Sequence, residues 1–170
     1  MIISINHVHA NTVKPTEYEL KAAFIYNFTK FINWPAESFE KSDAPINLCL
    51  LGNDPFGNAI DMLKDKLSKG RQFTVNRIPS SADVKIETLS CHILFISPSE
   101  EKKLPHIFSL FKSAAVLTIS DMHNFAELGG IIGFKMKGKR IGFAINNEVA
   151  TKAKLKISSE LLKLSDVVGR

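Results

Sequence analysis

Residues 46–57 read INLCLLGNDPFG. Ile46 to Leu51 is a nearly unbroken apolar run between Pro45 and Gly52, the pattern of a short strand buried on both faces. Asn53-Asp54-Pro55 then opens a helix, with Asp54 as N-cap and Pro55 at the first helical position, where a missing N–H does no harm. The spacing places Phe56, Ile60, Leu63 and Leu67 on one helical face and ends the helix near Gly70. A buried strand feeding a helix is half of a βαβ unit.

The alternation repeats downstream. Phe73 to Ile78 forms a second strand. Cys91 to Ser97 forms a third, apolar throughout; Pro98 and Ser99-Glu100-Glu101 then lead into a helix bearing Leu104, Ile107, Phe108 and Phe111. Ala115 to Ile119 is a fourth strand, after which Ser120 or Asp121 caps a short helical turn through Leu128. Strands alternating with helices in this way predict an α/β fold, a three-layer sandwich with a mostly parallel sheet and helices on both faces. The sheet ends in an antiparallel hairpin. With Gly138-Lys139 as a two-residue type II′ turn, Met136 faces Ile141, Phe134 faces Phe143 and Ile132 faces Ile145, all six on one face. Gly129-Gly130 before it allows a sharp turn or a close approach to another element. Helices follow over Asn146–Leu155 and from Ser158-Ser159-Glu160.

Upstream, Lys21 to Pro35 reads KAAFIYNFTKFINWP. At helical spacing Leu20, Phe24, Ile25, Phe28, Phe31 and Ile32 form one wide apolar stripe, as in a core-facing helix. Tyr26 and Trp34 lie outside it. Either the helix is covered on two sides or part of it is a surface awaiting a partner.

One domain is expected for 170 residues, with 1–10 as a leader remnant or disordered leader and 11–170 as the domain. A charged fraction of 23% and a hydrophobic fraction of 45% are those of a globular protein. The net charge of +5 is spread over scattered lysines without aromatic interleaving, which argues against nucleic-acid binding. Val8-His9-Ala10 has the small-residue spacing of a signal-peptidase site, which points to export. No apolar run approaches the ~18 residues of a membrane span.

Catalytic patterns are missing. The Gly52–Gly57 loop has no GxGxxG and no Walker lysine, and no G-x-S-x-G elbow occurs. His92, His106 and His123 lack ligand spacing, so no metal, cofactor or enzymatic activity is expected. Cys49 and Cys91 each sit in a strand-like run. In the cytosol they would be two buried thiols; in an oxidising compartment an even count allows one disulfide.

The stretch Glu19–Pro35, ending in W-P, followed by LCLLGNDPFG at Leu48–Gly57, is similar to the YfiR family of small exported bacterial proteins. LSCHILFIS at Leu89–Ser97, VLTISD at Val116–Asp121, Phe125 with Gly129-Gly130, and KLKISSELLKLS at Lys154–Ser165 continue the resemblance in the family's order. The resemblance implies a periplasmic regulator that binds the periplasmic domain of an inner-membrane diguanylate cyclase and holds it inactive. An outer-membrane lipoprotein can sequester such a regulator, raising cyclic di-GMP and biofilm formation. Cys49 and Cys91 resemble one of the family's cysteine pairs; a second pair is absent here, which makes a structural disulfide the expectation. Phe31, Trp34, Met122 and Phe125 are the candidate contacts for the partner or for a homodimer. The alternative is a small-ligand sensor acting on a different membrane signalling protein, with Gly52, Asn53, Asp54 and Phe56 forming the pocket.

Overall fold

The computed structural model describes residues 15–80 and 90–169; the expected leader over residues 1–10 lies outside them. Helix α1 (Glu17–Phe31) starts at a reciprocal cap. Thr16 Oγ1 accepts from the Glu19 N–H at 3.3 Å, and the Glu19 carboxylate accepts from the Thr16 N–H. The helix runs into β1 (Ile32–Asn33), a connector with a 3₁₀ turn at Ala36–Ser38, and then β2 (Ile46–Leu51). Next come α2 (Asn58–Asp61), the hairpin of β3 (Leu67–Ser68) with β4 (Arg71–Ile78), β5 (Ile93–Ile96), α3 (Leu104–Leu110) and β6 (Leu117–Ser120). The chain finishes with β7 (Ile132–Lys137), β8 (Arg140–Asn146), α4 (Asn147–Lys152), β9 (Lys156–Ile157), α5 (Ser159–Lys163) and β10 (Asp166–Val168).

Eight strands form one open, mostly parallel sheet in the order β10-β8-β7-β6-β5-β2-β4-β3; β1 and β9 pair separately as a small antiparallel ribbon. Period-two alternation along the strands sends residues to opposite faces. Leu48 and Leu50 join α1 residues Ala22, Ile25 and Phe28 in one core, whereas Cys49 and Leu51 join α3 residues Leu104 and Ile107 in the other. The α/β expectation is correct, with a core on each side of the sheet. The hairpin has the expected register, Ile132↔Ile145, Phe134↔Phe143 and Met136↔Ile141. Gly138 has φ +63° whereas Lys139 is not left-handed, as a type II′ turn requires.

Local expectations needed correction in four places. Asp54 does not cap α2: Gly57, at φ +53°, breaks the run, so the helix starts at Asn58 and Asp54 Oδ1 instead accepts from the Phe56 N–H at 2.7 Å. After Asp61 the chain tightens into a 3₁₀ turn over Met62–Asp65, and Leu67 opens β3 instead of closing the helix. Residues 121–130 form turns with no helix, turning at Asn124 (φ +54°) and Gly129 (φ +110°). On α1, Leu20 is 41% exposed and Lys21 is buried in its place, because the small Ala22 faces the core and Asp121 draws Lys21 inward.

Candidate partner-binding surface

The aromatic helix is covered on two sides. Its inner side carries Phe28 against Phe143 (centroids 4.9 Å) and Phe134 (5.9 Å), with Phe24 against the same two rings. On the other flank Tyr26 lies on Phe73, and its hydroxyl donates to Leu67 O at 3.0 Å. Rings outside the apolar stripe are thus used mainly for packing against the β3–β4 hairpin.

Trp34 is different. It is half-buried, and its indole Nε1–H donates to His92 O at 3.1 Å, which pins the ring at the amino edge of the sheet. Grooves open on both sides of it. One, of about 710 Å³, runs between Trp34, Pro35 and the segment from Lys154 to Ile157. The other, of about 280 Å³, runs toward Phe39, Lys69 and Arg71. Pro35 follows Trp34 and forces the chain out of the ribbon, since proline lacks the N–H a strand needs. Phe31 is half-buried nearby, and its carbonyl accepts from the Ser158 N–H at 2.9 Å.

Beneath this ledge lies His92. Its Nδ1 accepts from the Asn47 N–H at 3.0 Å, so Nε2 carries the proton and donates to Ser38 O at 2.9 Å. Phe39 stacks on the imidazole at 4.3 Å, and the Arg71 guanidinium lies 3.7 Å over the Phe39 ring. Burial holds the His92 pKa below its ordinary value; the Ser38 carbonyl opposes this and Arg71 adds to it. Arg71 also donates to Lys41 O and Ala44 O, fastening the connector that carries Trp34. Burial likewise lowers the pKa of Lys69, whose ammonium donates to Ile32 O and Asn33 Oδ1.

The disulfide Cys49–Cys91 forms, its Cα atoms 5.9 Å apart, and ties β2 to the residues that lead into β5. It lies in the core on the α3 side, with Cys49 1% and Cys91 7% exposed.

Met122 and Phe125 occupy other ground. Both are buried, at 3% and 1% exposure, on the α3 side of the sheet. The Phe125 ring lies over Gly130, where a Cβ would stand 2.1 Å from it. The Gly129-Gly130 pair thus supplies both a turn and a close approach. The four candidate aromatic and methionine residues do not come together; Phe31 and Trp34 share the amino edge and the other two are interior.

At the opposite, carboxyl edge lies the loop Gly52-Asn53-Asp54-Phe56. Its groups are largely engaged by the protein itself. The Asn53 N–H donates to Ser99 Oγ, Asp54 Oδ2 accepts from Arg77 Nε at 2.7 Å, and Phe56 is buried against Tyr18 and Phe95. A Cβ on Gly52 would meet Ser99 Oγ at 2.5 Å, so the loop is packed onto the turn after β5. Two buried acceptors near this edge lack a hydrogen-bond partner among the described residues, Glu100 Oε1 beside the loop and Asp121 Oδ1.

A buried ion pair lies near the same edge and escaped sequence reasoning. Lys21 Nζ is 2.7 Å from Asp121 Oδ2 and 2.5 Å from Glu17 Oε1, and the Tyr18 hydroxyl donates to Asp121 at 2.8 Å. Burial disfavours the Lys21 cation, but hydrogen bonds to Asp121 and Glu17 outweigh it and raise its pKa. A lysine amid an apolar stripe gives no sign in the sequence of where its counter-charge lies.

Among the described residues no three or more His, Cys, Asp or Glu side chains are grouped to hold a metal ion, and no helix is long and apolar enough to cross a membrane. No curated protein matches the chain. Residues 18–166, from the start of α1 to the start of β10, match a family profile described as YfiR/HmsC-like. With nearly all of its length matched, the chain belongs to the YfiR/HmsC-like family.

Proposed function

We propose that this protein is a periplasmic regulator that represses a membrane-bound diguanylate cyclase through contact with the cyclase's periplasmic domain. Family membership supports the class of role. The observation that carries the contact is Trp34, a half-exposed indole fixed by its own hydrogen bond between two grooves. A ring held this way contributes contact area without losing much side-chain entropy on binding, which is the property of an interface anchor. Phe31 extends the same edge, and self-association into a homodimer would use the same surface. Met122 and Phe125, buried on the α3 side of the sheet, lie outside this surface. Repression by such contact is a linkage effect: the regulator binds the inactive cyclase more tightly than the active one. A structural disulfide suits an oxidising compartment.

The test is capture from membranes of the native bacterium with tagged protein under non-reducing conditions, wild type against Trp34→Ala, with cyclic di-GMP measured in the corresponding strains. Wild type is expected to recover a transmembrane diguanylate cyclase. The variant loses the indole's hydrogen bond and some packing, so it is expected to melt somewhat lower yet stay folded at the assay temperature, lose capture and raise cyclic di-GMP. Recovery of no membrane signalling protein by wild type refutes the role. Retained capture by the folded variant refutes Trp34 as the contact.

Glu100 Oε1 favours a second reading, a ligand sensor at the Gly52–Phe56 loop, because a buried acceptor without a donor suits an amino or hydroxyl group. A thermal-shift screen of amino acids and nucleosides separates the two, since a specific ligand raises the melting temperature by mass action.

A further inference from the structure

Three non-glycine residues among the described ones have left-handed backbone: Lys69 (φ +50°), Asn124 (φ +54°) and Lys154 (φ +60°). Asparagine is common there; lysine is not. Lys69 precedes Gly70 in the β3–β4 hairpin turn, a position at which Asn, Asp or Gly is the usual choice. Lys154 follows the end of α4, where glycine ordinarily closes a helix. Lys69 is held there by Ile32 O and Asn33 Oδ1, whereas the Lys154 side chain makes no hydrogen bond or ion pair among the described residues that would account for it. Both lysines line grooves beside Trp34, Lys154 on one side and Lys69 on the other.

The charge around the ring has one sign. Lys156, exposed on the small ribbon, joins Lys154 in the larger groove; Arg71 joins Lys69 in the smaller. Among the described residues no acidic one lines either groove. Lys154 and Lys156 enter no ion pair among the described residues, whereas nearby Lys152 is already engaged by Glu148 at 2.6 Å. The exposed Glu37, on the turn beside Ala36, is the closest acid in the sequence. Lys69 and Arg71 spend their N–H groups on backbone carbonyls and on Asn33, so they contribute field more than hydrogen bonds. Lys154 and Lys156 keep theirs for an incoming group.

We propose that the two grooves form one docking track for an extended acidic segment of a partner protein, its carboxylates meeting Lys154 and Lys156 and its chain crossing the face of Trp34. This rests on the reading of the Trp34 edge as a partner contact and names the chemistry of the partner. Cations on both sides of the ring, and a larger groove of about 710 Å³, suit a chain more than a single small anion. An exposed charged track also steers association and makes it sensitive to salt.

Trp34 is the chain's single tryptophan, so its emission reports on the track directly. The probe is a hexaglutamate peptide titrated into the full-length oxidised protein, with hexalysine and oligothymidylate as comparisons. The expected result is a saturable change in Trp34 emission with hexaglutamate only. Affinity should fall about ten-fold or more between about 20 mM and about 300 mM salt, as screening shortens the reach of the lysines. K154E/K156E, altered at two exposed sites, should melt as wild type does and bind at least about ten-fold more weakly, as loss of the charge complementarity requires. Lys154→Gly is the sharper variant: relief of the left-handed lysine should hold or raise the melting temperature while binding weakens.

Absence of a saturable change, equal affinity in K154E/K156E, or equal binding of oligothymidylate overturns the proposal. If hexaglutamate fails while membrane capture still depends on Trp34, the acidic-segment assignment falls alone. If hexaglutamate binds as expected and no membrane signalling protein is captured, the regulatory role falls and the docking track stands.

Discussion

Removing the disulfide should destabilise the protein strongly, and the magnitude follows from where the bond lies in the chain. Cys49 and Cys91 are 42 residues apart in sequence. Closing a loop of that length removes unfolded-state entropy worth about 4 kcal/mol at 25 °C in the chain-entropy model. For a domain of this size that corresponds to a fall in melting temperature of about 8–16 °C. The bond joins β2 to the lead-in of β5, neighbours that already pair in register from Leu48↔Ile93 to Leu51↔Ile96. Its loss should therefore leave the native sheet in place and act chiefly on the unfolded chain. Two perturbations separate that effect from packing. Reduction by dithiothreitol removes no side-chain atoms, whereas Cys49→Ala with Cys91→Ala also empties a little of the α3-side core. Urea unfolding against the oxidised protein should show the loop-entropy loss in both, larger in the alanine pair by the core volume it empties, with a steeper denaturant dependence because the freed chain exposes more surface. A loss under ~1 kcal/mol with an unchanged slope would refute the loop-entropy reasoning.

Lys21→Met should destabilise by about 3–5 kcal/mol in urea, because Asp121 is left as a buried charge without its cation. The double variant K21M/D121L should recover much of that loss, and no recovery would show that packing, not charge, is what Lys21 provides. Stability should also fall on acidification through His92. Its folded pKa lies below the unfolded value of about 6.5, so the unfolded state binds more protons in between. The neutral ring's contribution is whole above about pH 6.5, declines as pH drops below it, and levels off once the folded group is also protonated. Melting temperatures from pH 7.5 down to pH 5 in wild type and His92→Gln test this, and equal slopes in the two would exclude His92 as the source. Gly130→Ala places a Cβ 2.1 Å from the Phe125 ring. Overpacking of that kind should cost about 1–3 kcal/mol in thermal unfolding and be partly relieved by adding Phe125→Leu.

The sheet was legible because its strands are locally self-declaring. Ile46–Leu51 and Ile93–Ile96 are short apolar runs bounded by proline, glycine or polar residues, and the hairpin's two halves match residue by residue around Gly138. Helix boundaries were less legible where backbone geometry overrode composition. Nothing in N-D-P-F-G reveals that Gly57 takes positive φ and delays α2. The Thr16-x-x-Glu19 cap was a readable signal, as was the β-branched pair Val167-Val168 that forms β10. The β1–β9 ribbon was not readable, since two-residue strands have no period. Around the candidate surface, the aromatic excess of α1 was evident, but aromatic identity does not tell which ring packs inward. Only long-range contacts separate Trp34, held at the edge by His92 O, from Phe125, buried over Gly130. The left-handed lysines were hidden for the same reason, because φ is not written in residue type.

The helix made first is among the last to be covered. Tyr26 meets Phe73 early, but Phe28 rests on Phe134 and Phe143, Phe31 is tied to Ser158, and Ile32 pairs with Ile157, so part of α1 is covered only by the final third of the chain. A nascent chain emerging amino end first therefore carries a partly uncovered aromatic helix until β7, β8 and β9 have followed. Contacts this far apart make closure slow and leave sticky surface showing meanwhile. For the exported protein proposed above, that delay would keep the chain open for threading across a membrane. It also means that a product cut short before β9 advertises its incompleteness, as bare aromatic rings, to whatever chaperone or protease surveys it.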